Sequence, residues 1–113
     1  MIKATIYFKE ENIVGFKIEG HSGYGSFGND IVCAAISTIA QATARGITDI
    51  LGIDAEEETN DAKGYMRFLM DLVPDSRLAH AQTLLKTMEL TLKDIQWQYK
   101  DFLQVCTKDI NMI

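Results

Sequence analysis

The sequence predicts an α+β domain: a two-layer sandwich in which two helices cover one face of a mainly antiparallel sheet. Three observations predict it. Several short segments alternate apolar and polar residues, as half-buried strands do. Two longer stretches repeat apolar residues at spacings of three and four, as amphipathic helices do. The strand segments are apolar on one side only, so a single helical layer is enough to cover them.

The first strand face is Ile2, Ala4, Ile6 and Phe8; after the polar Glu10, Glu11 and Asn12, alternation resumes at Val14, Phe16 and Ile18, which predicts a hairpin. A glycine-rich stretch follows. From about Asp30 the spacing turns helical, with Val32, Ala35, Ile36, Ile39, Ile47 and Ile50 near one face, and Gly52 marks the end. Residues 55–59 read as a weak acidic strand and residues 60–64 as a turn, and Met66, Phe68, Met70 and Leu72 form the buried face of a partner strand. Pro74, Asp75 and Ser76 supply the start of a second helix carrying Leu78, Ala81, Leu85, Met88, Leu92 and Ile95.

The tail supports two readings. Tyr99, Phe102 and Cys106 continue the helical spacing, whereas Leu103, Val105 and Thr107 alternate. A closing strand is expected, because a helix running through Cys106 would be about 45 Å long in a domain whose radius of gyration should be about 13 Å. The predicted order is ββαββα with a closing strand, and residues 1–113 are expected to form one domain.

The formal net charge of −5 would repel a phosphate backbone, so direct nucleic-acid binding is not expected. The opening MIKATIYFKEE alternates and lacks the apolar run of a signal peptide or membrane span. A cytoplasmic protein with no membrane contact is expected, and its two cysteines should be free thiols there.

Chemistry concentrates in GHSGYGSFGNDIVCAAIS, residues 20–37. His21 falls just past the second strand and Cys33 in the first helical turn, with a glycine-rich loop between them that lets the two meet. A base and a nucleophile are thus available. A helix N-terminus stabilises a thiolate by only about 0.3 to 1 kcal/mol, less than one pKa unit. Activating a thiol at neutral pH therefore needs a second contribution, which an imidazolium at His21 would supply. His80, between Ala79 and Ala81, reads as a surface or packing residue.

Asp30, Cys33 and Ser37 share one helix face. Asp30 has two readings, as the helix cap or as the group that orients His21, and both can hold. Two alternatives stand beside the dyad. Cys33 could be a small buried hydrophobe among Val32, Ala34 and Ala35, the packing role expected of Cys106. His21, Asp30 and Cys33 could instead ligate a metal, although no paired ligand motif accompanies them and the second thiol that zinc favours is missing from the loop. No Lys-Ser or Lys-Thr follows Gly28, which excludes a phosphate loop.

The whole stretch, a strand followed by GH, a glycine loop and DIVCAAIS, resembles the Prp (YsxB-like) family of ribosomal-processing cysteine proteases. The resemblance extends from the opening MIKATI over nearly the full chain. It implies that Cys33 is the nucleophile and His21 the base and proton donor, with Gly20, Asp30 and Ser37 matching the surrounding motif. It further implies a homodimeric endopeptidase that trims the N-terminal extension of the twenty-seventh large-subunit ribosomal protein. The mechanism needs no metal or other cofactor. Ser22, Gly23, Tyr24, Gly25, Ser26, Phe27 and Gly28 would form a mobile loop that opens for the peptide and closes over it. Backbone N–H groups at the helix start would hold the oxyanion. The competing function class is a non-catalytic module that binds ribosome-assembly intermediates and merely packs its thiol.

Overall fold

A computed structural model describes residues 1–26 and 28–112. Phe27 of the expected loop lies outside the described residues. Strands β1 (Ile2–Lys9) and β2 (Asn12–Glu19) form the first hairpin, and helix α1 (Ile31–Arg45) follows the glycine loop. Strands β3 (Glu56–Asn60) and β4 (Tyr65–Leu69) form the second hairpin, before helix α2 (Asp75–Gln98) and strand β5 (Leu103–Asp109). The sheet order is β3-β4-β2-β1-β5. The pairs β1–β2, β2–β4 and β3–β4 are antiparallel, whereas β5 runs parallel to β1. The architecture is the α+β sandwich predicted, with one parallel pair at its edge.

That parallel pair follows from α2. A helix of 24 residues, about 36 Å long, carries the chain back along the sheet, so the strand after it points the same way as the strand before it. The tail is a strand because α2 stops at Tyr99, whose N–H still donates to the Ile95 carbonyl, and a turn closed by Phe102 N–H on the Tyr99 carbonyl redirects the chain.

The core lies between helices and sheet. In register across it, Ala4 faces Ile18 on one side and Val105 on the other, Ile6 faces Phe16, and Phe16 faces Phe68. The Phe16 and Phe68 rings stack at 5.4 Å. Val32, Ile36, Ala40 and Ala44 of α1 and Leu78, Ala81, Leu85, Met88 and Leu92 of α2 close the layer. Each large apolar side chain buried this way stabilises the fold by roughly 1.5 to 3 kcal/mol before the entropy of ordering is counted. The span Ile31–Ile50 is long and apolar enough, by length and composition, to cross a membrane. In the fold, its Val32, Ile36, Ala40, Ala44 and Ile47 are instead buried in the core.

Four positions depart from the periodicity. The first is Ala35, expected on the buried face of α1 but exposed, because Ala40 and Ala44, not Ala35, continue the row of Val32 and Ile36. The helix does not end in regular α geometry but runs on as a π turn, Gly46–Ile50, with Leu51 N–H reaching the Gly46 carbonyl. That change of pitch leaves Ile50 84% exposed instead of on the buried face. Leu72, read as a strand position, lies beyond β4 and is 87% exposed. Gln82, a polar residue in the middle of α2, is buried and does what no apolar side chain could. Its amide accepts from Ile13 N–H at 2.7 Å and donates to the Ile13 carbonyl at 2.9 Å, tying α2 to β2.

Candidate active site

Strand β2 ends at Glu19, and Gly20 turns the chain with φ 97°. A Cβ there would lie 2.6 Å from the Met1 carbonyl oxygen, so only glycine lets the chain pass the N-terminus closely enough to bring His21 to the sheet end. Asp30 then caps α1 from an extended backbone. One oxygen, Oδ1, accepts the N–H groups of Val32 and Cys33, each at 3.0 Å. The other, Oδ2, accepts Gly25 N–H at 3.1 Å and the Ser22 hydroxyl. Asp30 is 8% exposed. Burial by itself would raise its pKa, but the bonds from Ser22, Cys33, Gly25 and Val32 outweigh burial and hold the carboxyl well below the usual carboxylate range. Of its two sequence readings, the cap is therefore the one the geometry displays.

Cys33 sits in the first turn of this capped helix, half-buried. Ser22 N–H points at its sulfur, with N and Sγ 3.4 Å apart. Ser22 itself is buried, and its hydroxyl also accepts Tyr24 N–H at 3.1 Å. Ser22 thus joins the cap to the Cys33 thiol, a link that its reading as one residue of a loop does not reveal. Further along, the Tyr24 ring meets Tyr99 and Phe102 edge-on at 5.5 and 5.2 Å. Asn29 N–H closes a turn on the Ser26 carbonyl. The expected substrate loop is therefore tied to the body of the protein at Ser22, Tyr24 and Gly25.

His21 and Cys33 line one cleft of about 590 Å³ between α1 and the β3–β4 hairpin. Gly20, Gly25, Gly28, Asp30 and Ser37 line it too, so most of the residues singled out in the motif converge there. The opposite wall comes from residues the motif does not contain: Thr59, Asp61, Gly64, Tyr65 and Met66. The sequence marked that segment only as strand and turn. The turn reaches His21 directly, with Nε2 3.3 Å from the Ala62 carbonyl oxygen. The amides expected to hold an oxyanion are already engaged: Val32 and Cys33 N–H bond Asp30 Oδ1, and Ala34 N–H bonds the Asp30 carbonyl. Among the described residues, no group of three or more His, Cys, Asp or Glu side chains is placed to hold a metal ion.

Cys106, expected to pack, is half-buried in β5. It stands opposite Thr5 in the β1–β5 register, one residue on from the Ala4–Val105 pair, and so on the sheet face turned away from the helices. His80 is exposed on α2.

A thiol at a helix start shares its cleft with a histidine, and the chain as a whole is similar to known proteins. The chain is 30% identical over 113 residues to the ribosomal processing cysteine protease Prp of Bacillus subtilis, covering 97% of this chain and 100% of that protein. It is 26% identical over 102 residues to the Staphylococcus aureus protein of the same name, covering 89% and 93%. The fold matches the crystal structure of an essential ribosomal processing protease Prp from S. aureus in complex with a covalently linked product peptide. That match has a TM-score of 0.83 and 25% identity, over 96% of this chain and 100% of that one. The family model described as cysteine protease Prp matches residues 1–104, and the chain belongs to that family of cysteine proteases.

Proposed function

We propose that this protease removes the N-terminal extension of the twenty-seventh large-subunit ribosomal protein, with Cys33 as nucleophile and His21 as base and proton donor. The observation that carries the reading is the placement of Cys33 at the capped start of α1 in the same cleft as His21. Family membership favours the protease over the binding module, and the relatives named as ribosomal processing proteases point to the substrate class.

In the proposed reaction the Cys33 thiolate attacks the scissile carbonyl carbon. The C–N bond breaks as His21 delivers a proton to the leaving amine, and an acyl-thioester remains on Cys33. Water then attacks the thioester carbonyl, giving up a proton to His21, and the C–S bond breaks to release the carboxylic acid and restore the thiolate. Ser22 N–H supports the sulfur while it is a thiolate, before attack and after the C–S bond breaks, and Asp30 holds both Ser22 and the Cys33 backbone in place. Ser37, one helical turn beyond Cys33 in the cleft, is a candidate contact for the peptide.

The remaining parts of the reading are a cytoplasmic homodimer that needs no cofactor and a gate formed by the described loop residues 22–26 and 28. The test is incubation of the purified protein with the extended ribosomal protein, followed by product masses. A single cut that leaves the mature N-terminus is expected. An intact substrate, with a folded enzyme that still reacts with iodoacetamide at Cys33, would overturn the substrate assignment.

A further inference from the structure

We propose that the β3–β4 turn orients His21 through a main-chain carbonyl, so that Nδ1 is the nitrogen exchanging protons at Cys33, with Gly64 as the positioning residue that permits it. This rests on the reading of His21 as the partner of Cys33.

The Ala62 carbonyl oxygen carries no proton, so at 3.3 Å it can only accept, and His21 Nε2 must be the donor. A neutral imidazole has one N–H; with the proton on Nε2, the lone pair is on Nδ1. When the ring is charged, Nε2–H stays on the carbonyl and Nδ1–H is the proton given to the leaving amine. A neutral main-chain acceptor fixes the ring while adding no formal negative charge beside the thiolate. Asp30, the carboxylate that could have oriented the ring, already accepts four donors.

The turn is built for this contact. Gly64 N–H closes it on the Asp61 carbonyl at 3.1 Å, and Lys63 N–H bonds Asn60 Oδ1 at 3.2 Å. Gly20 N–H then bonds the Gly64 carbonyl at 2.9 Å, which clamps the residue before His21 to the turn. Gly64 has φ 61°. A Cβ on it would lie 2.4 Å from the Gly20 carbonyl oxygen and 3.0 Å from His21 Cε1. The first contact is a Cβ against a backbone oxygen and cannot be relieved by a rotamer change, so any side chain at position 64 must push the turn and the Gly20–His21 backbone apart.

Imidazole ¹⁵N NMR of the Cys33→Ala protein, at a pH where His21 is neutral, reads the tautomer. A proton on Nε2 and a pyridine-type Nδ1 are expected; a proton on Nδ1 would overturn the proposal. The second measurement is iodoacetamide alkylation of Cys33 across pH, with peptide turnover, in Gly64→Ala and His21→Ala. Gly64→Ala is expected to alkylate more slowly at neutral pH, with its profile moved to higher pH. Its kcat should fall by about 10- to 100-fold with KM little changed, as for a displaced catalytic group. If His21→Ala slows alkylation and a folded Gly64→Ala matches the wild type, the positioning role of Gly64 is overturned. If His21→Ala itself leaves the profile unaltered, the dyad reading fails instead. Should Gly64→Ala not fold, the tautomer measurement decides alone.

Discussion

The two cysteines of this chain are both half-buried, yet their surroundings differ in kind. Cys33 stands in the first turn of α1, receives Ser22 N–H on its sulfur and opens onto a cleft shared with His21. Cys106 stands in β5 opposite Thr5, on the sheet face away from the helices and outside that cleft. Cys33 also packs partly against the hydrophobic core. Burial therefore does not distinguish the two thiols. What distinguishes them is the Ser22 N–H on the Cys33 sulfur and the place of Cys33 in the first turn of a helix.

The strongest break in the comparison is removal of the thiol. Cys33→Ala is expected to abolish peptide cleavage while the protein stays folded, since little buried volume is lost; measurable turnover by the purified variant would make another group the nucleophile. The same inactive protein tests the gate. Amides of the described loop residues 23–26 and 28 should exchange with solvent faster without peptide than with it. Equal protection in both states would leave the loop a static wall.

A smaller effect comes from the cap beneath Cys33. Asp30→Ala should cost about 1 to 2 kcal/mol, the upper part of the range for losing an N-cap, because Ser22 and Gly25 lose their acceptor as well. Chemical denaturation at several pH values sharpens the point. The Asp30 carboxyl is depressed in the folded state, so its contribution should be full above the unfolded value of about 3.9 and fade as pH falls below it toward the folded value. A gap between wild type and variant that stayed constant down to pH 2 would contradict the carboxylate's role.

Least should follow from Cys106→Ser. Full activity and a stability change under about 1 kcal/mol are expected for a half-buried position outside the core. Loss of turnover in a folded variant would show that the two thiols are less distinct than their settings.

Much of this was legible in one dimension because the periodicities are local. Alternation in residues 2–18 and the three-and-four spacing from Leu78 to Ile95 report the faces that become buried. Asp30 two residues before Val32 and three before Cys33 reads as a cap for the same reason. Ile50 and Leu72 were misplaced because a π turn and an early strand end change the period without changing the composition. Gln82 was missed because its partner, Ile13, is 69 residues away.

The candidate site divides along the same line. The sequence by itself singled out Cys33 and His21 as the candidate pair and Asp30 as the capping carboxylate, since all three lie within one short segment. Only the tertiary structure decided the other wall of the cleft. It also placed the Ala62 carbonyl oxygen 3.3 Å from His21 Nε2. Both depend on the β3–β4 turn, 41 residues from His21 at Ala62, which reaches it through main-chain atoms. A carbonyl oxygen is the same in every residue, so its contribution leaves no mark on the amino-acid sequence except a glycine at position 64 where no side chain fits.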